Sequence, residues 1–191
     1  MASAYKKQLP CYLTLALGLF ALAAPNAICQ LNSNTASVAL TATLSESLTV
    51  AATPAAVTFS LVPGGTATGN APVAVTTTWV LSGSRTSVTL VGYFSSATAA
   101  LSGGSPVVNI PTSEIQGQVT TGTPTTFTAF TQTAPLGPAG AGLTLFTQAI
   151  SGTNRSANRS DNLNLQINLT SQPQLAAGTY TGTLNIQAQA L

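Results

Sequence analysis

Beyond Cys29 the chain carries only six charged side chains: Glu46, Arg85, Glu114, Arg155, Arg159 and Asp161. The same stretch has no His, Cys, Lys or Met. General acid–base work, activated nucleophiles and transition-metal centres draw on those missing types or on clustered carboxylates, and the three acids here stand far apart. The expectation is therefore a noncatalytic protein with no cofactor and no metal site. A glycosidase would need two facing carboxylates, and Glu46 with Glu114 is the one glutamate pair to test.

The densest polar stretch is Ser151 to Asp161, where Arg155, Arg159 and Asp161 stand among Ser, Asn and Gly. It reads either as a candidate loop for an anionic or sugar ligand or as a plain solvated hairpin. Asp161 alone cannot build a calcium site, which needs several oxygen donors. Asn154, Asn158 and Asn168 each open an Asn-x-Ser/Thr triplet, a pattern that arises readily in a chain rich in those residues. Trp79 shares an alternating face with Val75 and Leu81, so it is expected in the core rather than on a sugar-stacking surface. A carbohydrate-binding module would have to use Tyr93, Phe94, Phe127 or Phe130.

The N-terminus has the order of an export signal: Lys6 and Lys7, an apolar run from Cys11 to Ala24, then small and polar residues. That run is shorter than the roughly 18 to 20 residues a membrane span requires. Cleavage after Ala24 or Ala27 would place Pro25 badly. A cut after Cys29 uses Ala27 and Cys29 as the small pair and leaves Gln30 first; the rival is a lipoprotein signal that keeps and acylates Cys29. The reading is thus a signal peptide over residues 1–29 and one domain over residues 30–191, secreted or held at the cell surface. Removing Lys6 and Lys7 leaves three Arg against three acids. Without clustered basic residues there is no electrostatic case for nucleic acid or an anionic membrane. Both cysteines fall in the leader, so packing must stabilise the domain.

Alternating apolar residues broken by Pro/Gly clusters run along the domain, a strand-and-turn signature. Val38, Leu40, Ala42 and Leu44 alternate first, followed by Leu48 and Val50, Val57 and Phe59, then Val73 to Leu81 and Val88 to Phe94. Phe127 to Thr131, Leu143 to Ile150, Leu163 to Leu169 and Tyr180 to Ala190 follow. Eight to ten strands in a single immunoglobulin-like antiparallel β-sandwich are expected. Ala36 to Leu44 suits an ordinary first strand, and equally a donor strand that completes a neighbour, making Val38, Leu40, Ala42 and Leu44 a candidate assembly strand. The in-chain pairing is the simpler expectation.

Leu175-Ala176-Ala177-Gly178-Thr179-Tyr180-Thr181-Gly182-Thr183-Leu184, running into a terminal strand, resembles the closing strand of exported bacterial β-sandwich proteins, including pilin-like subunits of the chaperone–usher type. Ser47 to Val50 with Val57 to Phe59 is similar to their opening strands. Trp79-Val80-Leu81 resembles the Trp-x-Leu motif of some Gram-positive wall-binding domains. The first resemblance implies a fimbria-like subunit. Soluble β proteins guard their edges with Lys and keep net charge away from zero. Here Thr, Ser, Asn and Gln take the outward positions, which suits self-association, contact with other surface proteins, or adhesion to a neutral polysaccharide. Structure or adhesion is the expected role, with a carbohydrate- or wall-binding module as the alternative.

Overall fold

The computed structural model describes residues 31–172 and 174–191. The expected signal peptide, with its cleavage site, lies outside these residues. The chain divides into two units, residues 1–41 and 42–191.

Within the second unit the described residues form twelve strands: β1 (Ser47–Thr53), β2 (Thr66–Thr68), β3 (Val73–Val80), β4 (Ser87–Tyr93), β5 (Leu101–Gly103), β6 (Val108–Ile110), β7 (Ile115–Val119), β8 (Thr128–Ala129), β9 (Gly142–Ala149), β10 (Ser156–Asn168), β11 (Tyr180–Thr181) and β12 (Asn185–Ala190). A single 3-10 turn, Thr112–Glu114, precedes β7. The excess over the expected number comes from pieces of two or three residues, too short to leave a periodic signal. All pairings are antiparallel, and the architecture is an all-β sandwich. One sheet has the order β1-β3-β10-β7-β8 with β2 added to β10, and the second has the order β12-β4-β9. A small third sheet joins β11, β5 and β6.

Period-two patterning explains the long strands. In β3, Val73, Val75, Thr77 and Trp79 are buried, while Ala74 and Thr78 face out. In β10, Asp161, Leu163, Leu165 and Ile167 face inward. Opposite them, β4 and β9 supply Val88, Leu90, Leu143, Leu145 and Phe146. A bulge between Leu90 and Val91 accompanies three successive buried residues in β4, Leu90 to Gly92. Each such aliphatic side chain contributes roughly 1.5 to 3 kcal/mol when fully buried. Trp79 is 2 % exposed, and its indole N–H donates to the Asn154 carbonyl at 2.8 Å. That bond satisfies the one polar group of a buried Trp.

The expected last strand, Tyr180 to Ala190, is broken between β11 and β12. At Gly182 the backbone presses against the Ala100 carbonyl, leaving no room for a side chain. Tyr180 turns its hydroxyl to the Ala176 carbonyl at 2.7 Å, the local corner bond expected of it. The strand expected over Ala36 to Leu44 is absent: residues 31–46 have no regular structure, and β1 begins at Ser47.

Candidate functional site

Arg155, Arg159 and Asp161 do not share one loop. β10 begins at Ser156, so Arg159 and Asp161 are strand residues in phase with inward-facing Leu163 and Leu165. Arg159 Nε meets Asp161 Oδ2 at 2.7 Å and Nη2 meets Oδ1 at 3.0 Å. The same Nη2 donates to the Thr121 carbonyl, and the Thr121 hydroxyl donates to Asp161 Oδ1, both at 2.7 Å. The guanidinium lies over the Phe146 ring, 4.5 Å from its centroid. With Asp161 only 4 % exposed, this knot ties β10 to the Thr121 turn and offers no open carboxylate. Arg155 points elsewhere, donating to the Gly83 carbonyl at 3.4 Å. The signal missed in sequence was the strict Asn158, Ser160, Asn162, Asn164, Gln166 alternation, which shows the strand starting well before Leu163.

The two glutamates have separate partners. Glu114 Oε1 accepts from the Ser171 hydroxyl at 2.7 Å and from Ser113 at 3.2 Å. Glu46 accepts the Ser82 amide at 2.6 Å and pairs with Arg85 Nη2 at 3.1 Å and Nε at 3.3 Å. Arg85 Nη1 also reaches the Ala190 carbonyl at 3.5 Å. The clasp therefore joins the start of β1, the β3–β4 turn and the end of β12. The Arg85 guanidinium, followed by the Ser82 amide, holds the Glu46 carboxyl down to about 2, and Glu46 in turn raises Arg85. Among the described residues no three His, Cys, Asp or Glu come together as metal ligands.

Of the four aromatics weighed for sugar stacking, Phe94 and Phe130 are buried and pack edge-to-face at 5.3 Å. Tyr93 and Phe127 are half-buried, and Tyr93 donates its hydroxyl to Gln187.

An apolar groove of about 750 Å³ lies at the far end of the sandwich from the clasp. One wall is Ala52 and Pro54 to Leu61, the other is Gly178 to Ile186, and Val73, Phe94, Leu165 and Ile167 form its floor. It touches β1 at Ala52 and β12 at Ile186. β1 bonds only to β3 and β12 only to β4, so each has an unpaired edge among the described residues. Sequence reading missed the groove because its walls are irregular segments flanking strands. Val38, Leu40 and Leu44 are 82 %, 91 % and 85 % exposed, with Ala36 and Ala42 exposed at the same spacing.

The chain matches no known family model, no curated protein and no solved structure.

Proposed function

We propose that this protein is an exported, noncatalytic structural or adhesive subunit of the cell surface that associates by strand addition. The carrying observation is the coexistence of a strand-patterned, exposed apolar segment, Ala36 to Leu44, and an apolar groove that meets the edge strands β1 and β12 at Ala52 and Ile186. A strand laid in such a groove gains backbone bonds to the open edge and places alternate side chains inside. The immunoglobulin-like and fimbria-like aspects of this reading rest on the closing-strand resemblance. Export rests on the N-terminal sequence. Among the described residues no helix is long and apolar enough to cross a membrane.

A labelled peptide of residues 35–45 tests the groove. The acceptor is the exported chain carrying Leu40→Asp, whose own segment is spoiled. Saturable binding is expected by fluorescence anisotropy, and a peptide carrying Leu40→Asp should lose it. Equal binding of both peptides, or of neither, would remove strand addition.

One surface favours a second reading. The outer face of the six-stranded sheet presents Thr49, Thr76, Thr78, Asn158, Ser160 and Asn162, hydroxyls and amides without a charge among them. That chemistry suits a neutral polysaccharide. Retention on an insoluble neutral glucan, abolished by Asn158→Lys together with Asn162→Lys, would favour it.

A further inference from the structure

Resting on the neutral-polysaccharide reading, we infer that β10 is a track for one extended, uncharged, β-linked glycan chain, held along its length by a stripe of amides and hydroxyls. Ser156, Asn158, Ser160, Asn162, Asn164 and Gln166 occupy successive outward positions of this strand. From first to last they span roughly 33 Å, at about 3.3 Å per residue. β10 lies inside its sheet, between β3 and β7. On one flank Thr78, Thr76 and Ala74 stand in register with Asn158, Ser160 and Asn162. On the other, Gln118 and Gln116 stand in register with Asn164 and Gln166, so the stripe continues uncharged onto both neighbours.

The distribution of charge within β10 is the reverse of what stability alone favours. Its two charged residues, Arg159 and Asp161, sit on the inward face with side chains 24 % and 3 % exposed, while every outward position is neutral. Taking an ion pair out of water loses hydration that its own attraction only partly returns, whereas a charge on the outward face would keep its water. The solvent face of the strand is thus neutral although a charge would cost less there. Neutrality suits a binding face, because amides and hydroxyls shed water for a ligand at far lower cost than charges do.

A hydroxyl-rich chain fits this chemistry. Each amide offers both donors and an acceptor, and each sugar hydroxyl does the same, so the two can pair in either direction. Ser160 shares its hydroxyl with Thr76 at 3.2 Å and Asn164 donates to Gln118 at 3.4 Å. The side chains of Asn158, Asn162 and Gln166 bond to no other group among the described residues and remain available to a ligand. The stripe and its flanks hold no aromatic ring and no outward Arg, the side chains that anchor protein partners. With no ring to stack on a single sugar, binding must sum several hydrogen bonds of small net worth along a chain. A β-linked glucan such as cellulose is a straight ribbon with hydroxyls on both margins and stays over a straight strand, while α-linked amylose coils away from it.

Titration calorimetry of the exported chain tests this with β-linked cellohexaose and mannohexaose, their trimers, and α-linked maltohexaose, native Trp79 emission serving as the fold control. At least one β-linked hexamer should bind, with its trimer at least roughly tenfold weaker and maltohexaose no better than the trimer. Asn158→Ala and Gln166→Ala, towards opposite ends of the stripe, should each weaken hexamer binding about three- to tenfold, the worth of a lost hydrogen bond. Equal affinity for trimer and hexamer, or no effect of either variant, would overturn the track while leaving polysaccharide recognition standing. The same holds if insoluble neutral glucan retains the protein but no hexamer binds. No binding of any oligosaccharide, together with no retention on insoluble glucan, would overturn both.

Discussion

Ala36 to Leu44 and β3, Val73 to Val80, carry the same period-two apolar pattern and meet opposite fates. In β3, Val75 and Trp79 are 1 % and 2 % exposed, whereas Val38 and Leu40 are 82 % and 91 % exposed. The difference lies in what flanks them. β3 has β1 on one side and β10 on the other, with residue-by-residue registers to both. The earlier segment has no partner strand among the described residues. Alternation encodes which face is to be buried, but not the molecule that buries it.

The comparison breaks most visibly at Trp79. Trp79→Ala should cost about 3 to 5 kcal/mol by urea unfolding, since it removes a large core side chain that the surrounding strands cannot refill. Native emission should be blue-shifted and should move red on unfolding. A solvent-like native spectrum would place the β3 pattern in the same exposed class as Ala36 to Leu44.

Next in size is the knot beside that strand. Asp161→Ala strips the buried partner from Arg159 and leaves the Thr121 hydroxyl without its acceptor. Breaking such a pair should cost about 2 to 3 kcal/mol, less than for a fully buried one because Arg159 keeps some solvent contact. An unchanged midpoint would mean that Arg159 and Asp161 stand free, as a ligand loop would.

The Glu46 clasp marks the boundary between the two regions and has its own pH signature. Its carboxyl is depressed to about 2 from an ordinary value of 4.5. A depressed carboxylate stabilises the folded state fully above its unfolded value and loses that contribution as pH falls through the folded one. The clasp should therefore hold from neutrality to about pH 4.5 and fade between there and about pH 2. Subtracting the profile of Glu46→Gln from that of wild type isolates this window. A flat difference would show that Glu46 makes no stabilising contact.

The sandwich was readable from sequence because its long strands carry apolar runs bounded by turn residues: β3, β4 and β9 fall within a residue of Val73 to Leu81, Val88 to Phe94 and Leu143 to Ile150. Trp79 and Tyr180 were readable for the same reason, being placed by neighbours on their own strand or turn. What failed were features set by distant contacts. Arg159 and Asp161 looked like loop residues because charge suggests solvent, yet the Thr121 turn and Phe146 make an inward position tenable. Phe94 and Phe130 were open as surface aromatics until their mutual packing placed them in the core. The groove left no local trace, since Pro54 to Leu61 forms no named strand and Gly178 to Leu184 holds only the two residues of β11.

The smallest effect on stability should come from the segment that most resembles a core strand, and this sharpens the comparison furthest. Leu40→Ala removes a side chain already in water, so the unfolding midpoint of the dilute monomer should move by less than about 0.5 kcal/mol. Val75→Ala, in the matching pattern of β3, should cost about 2 kcal/mol in the same measurement. Association should reverse the order. If Leu40 enters a groove on a second copy, losing that burial removes about 2 kcal/mol, a roughly 30-fold weaker dissociation constant. Val75 does not line the groove and should leave the constant near its wild-type value once the variant is folded. Sedimentation equilibrium across a concentration series reads one quantity and urea unfolding of dilute protein the other. A Leu40→Ala variant that unfolds as easily as Val75→Ala and associates like wild type would put the segment inside its own fold. The contrast between the two strands would then disappear.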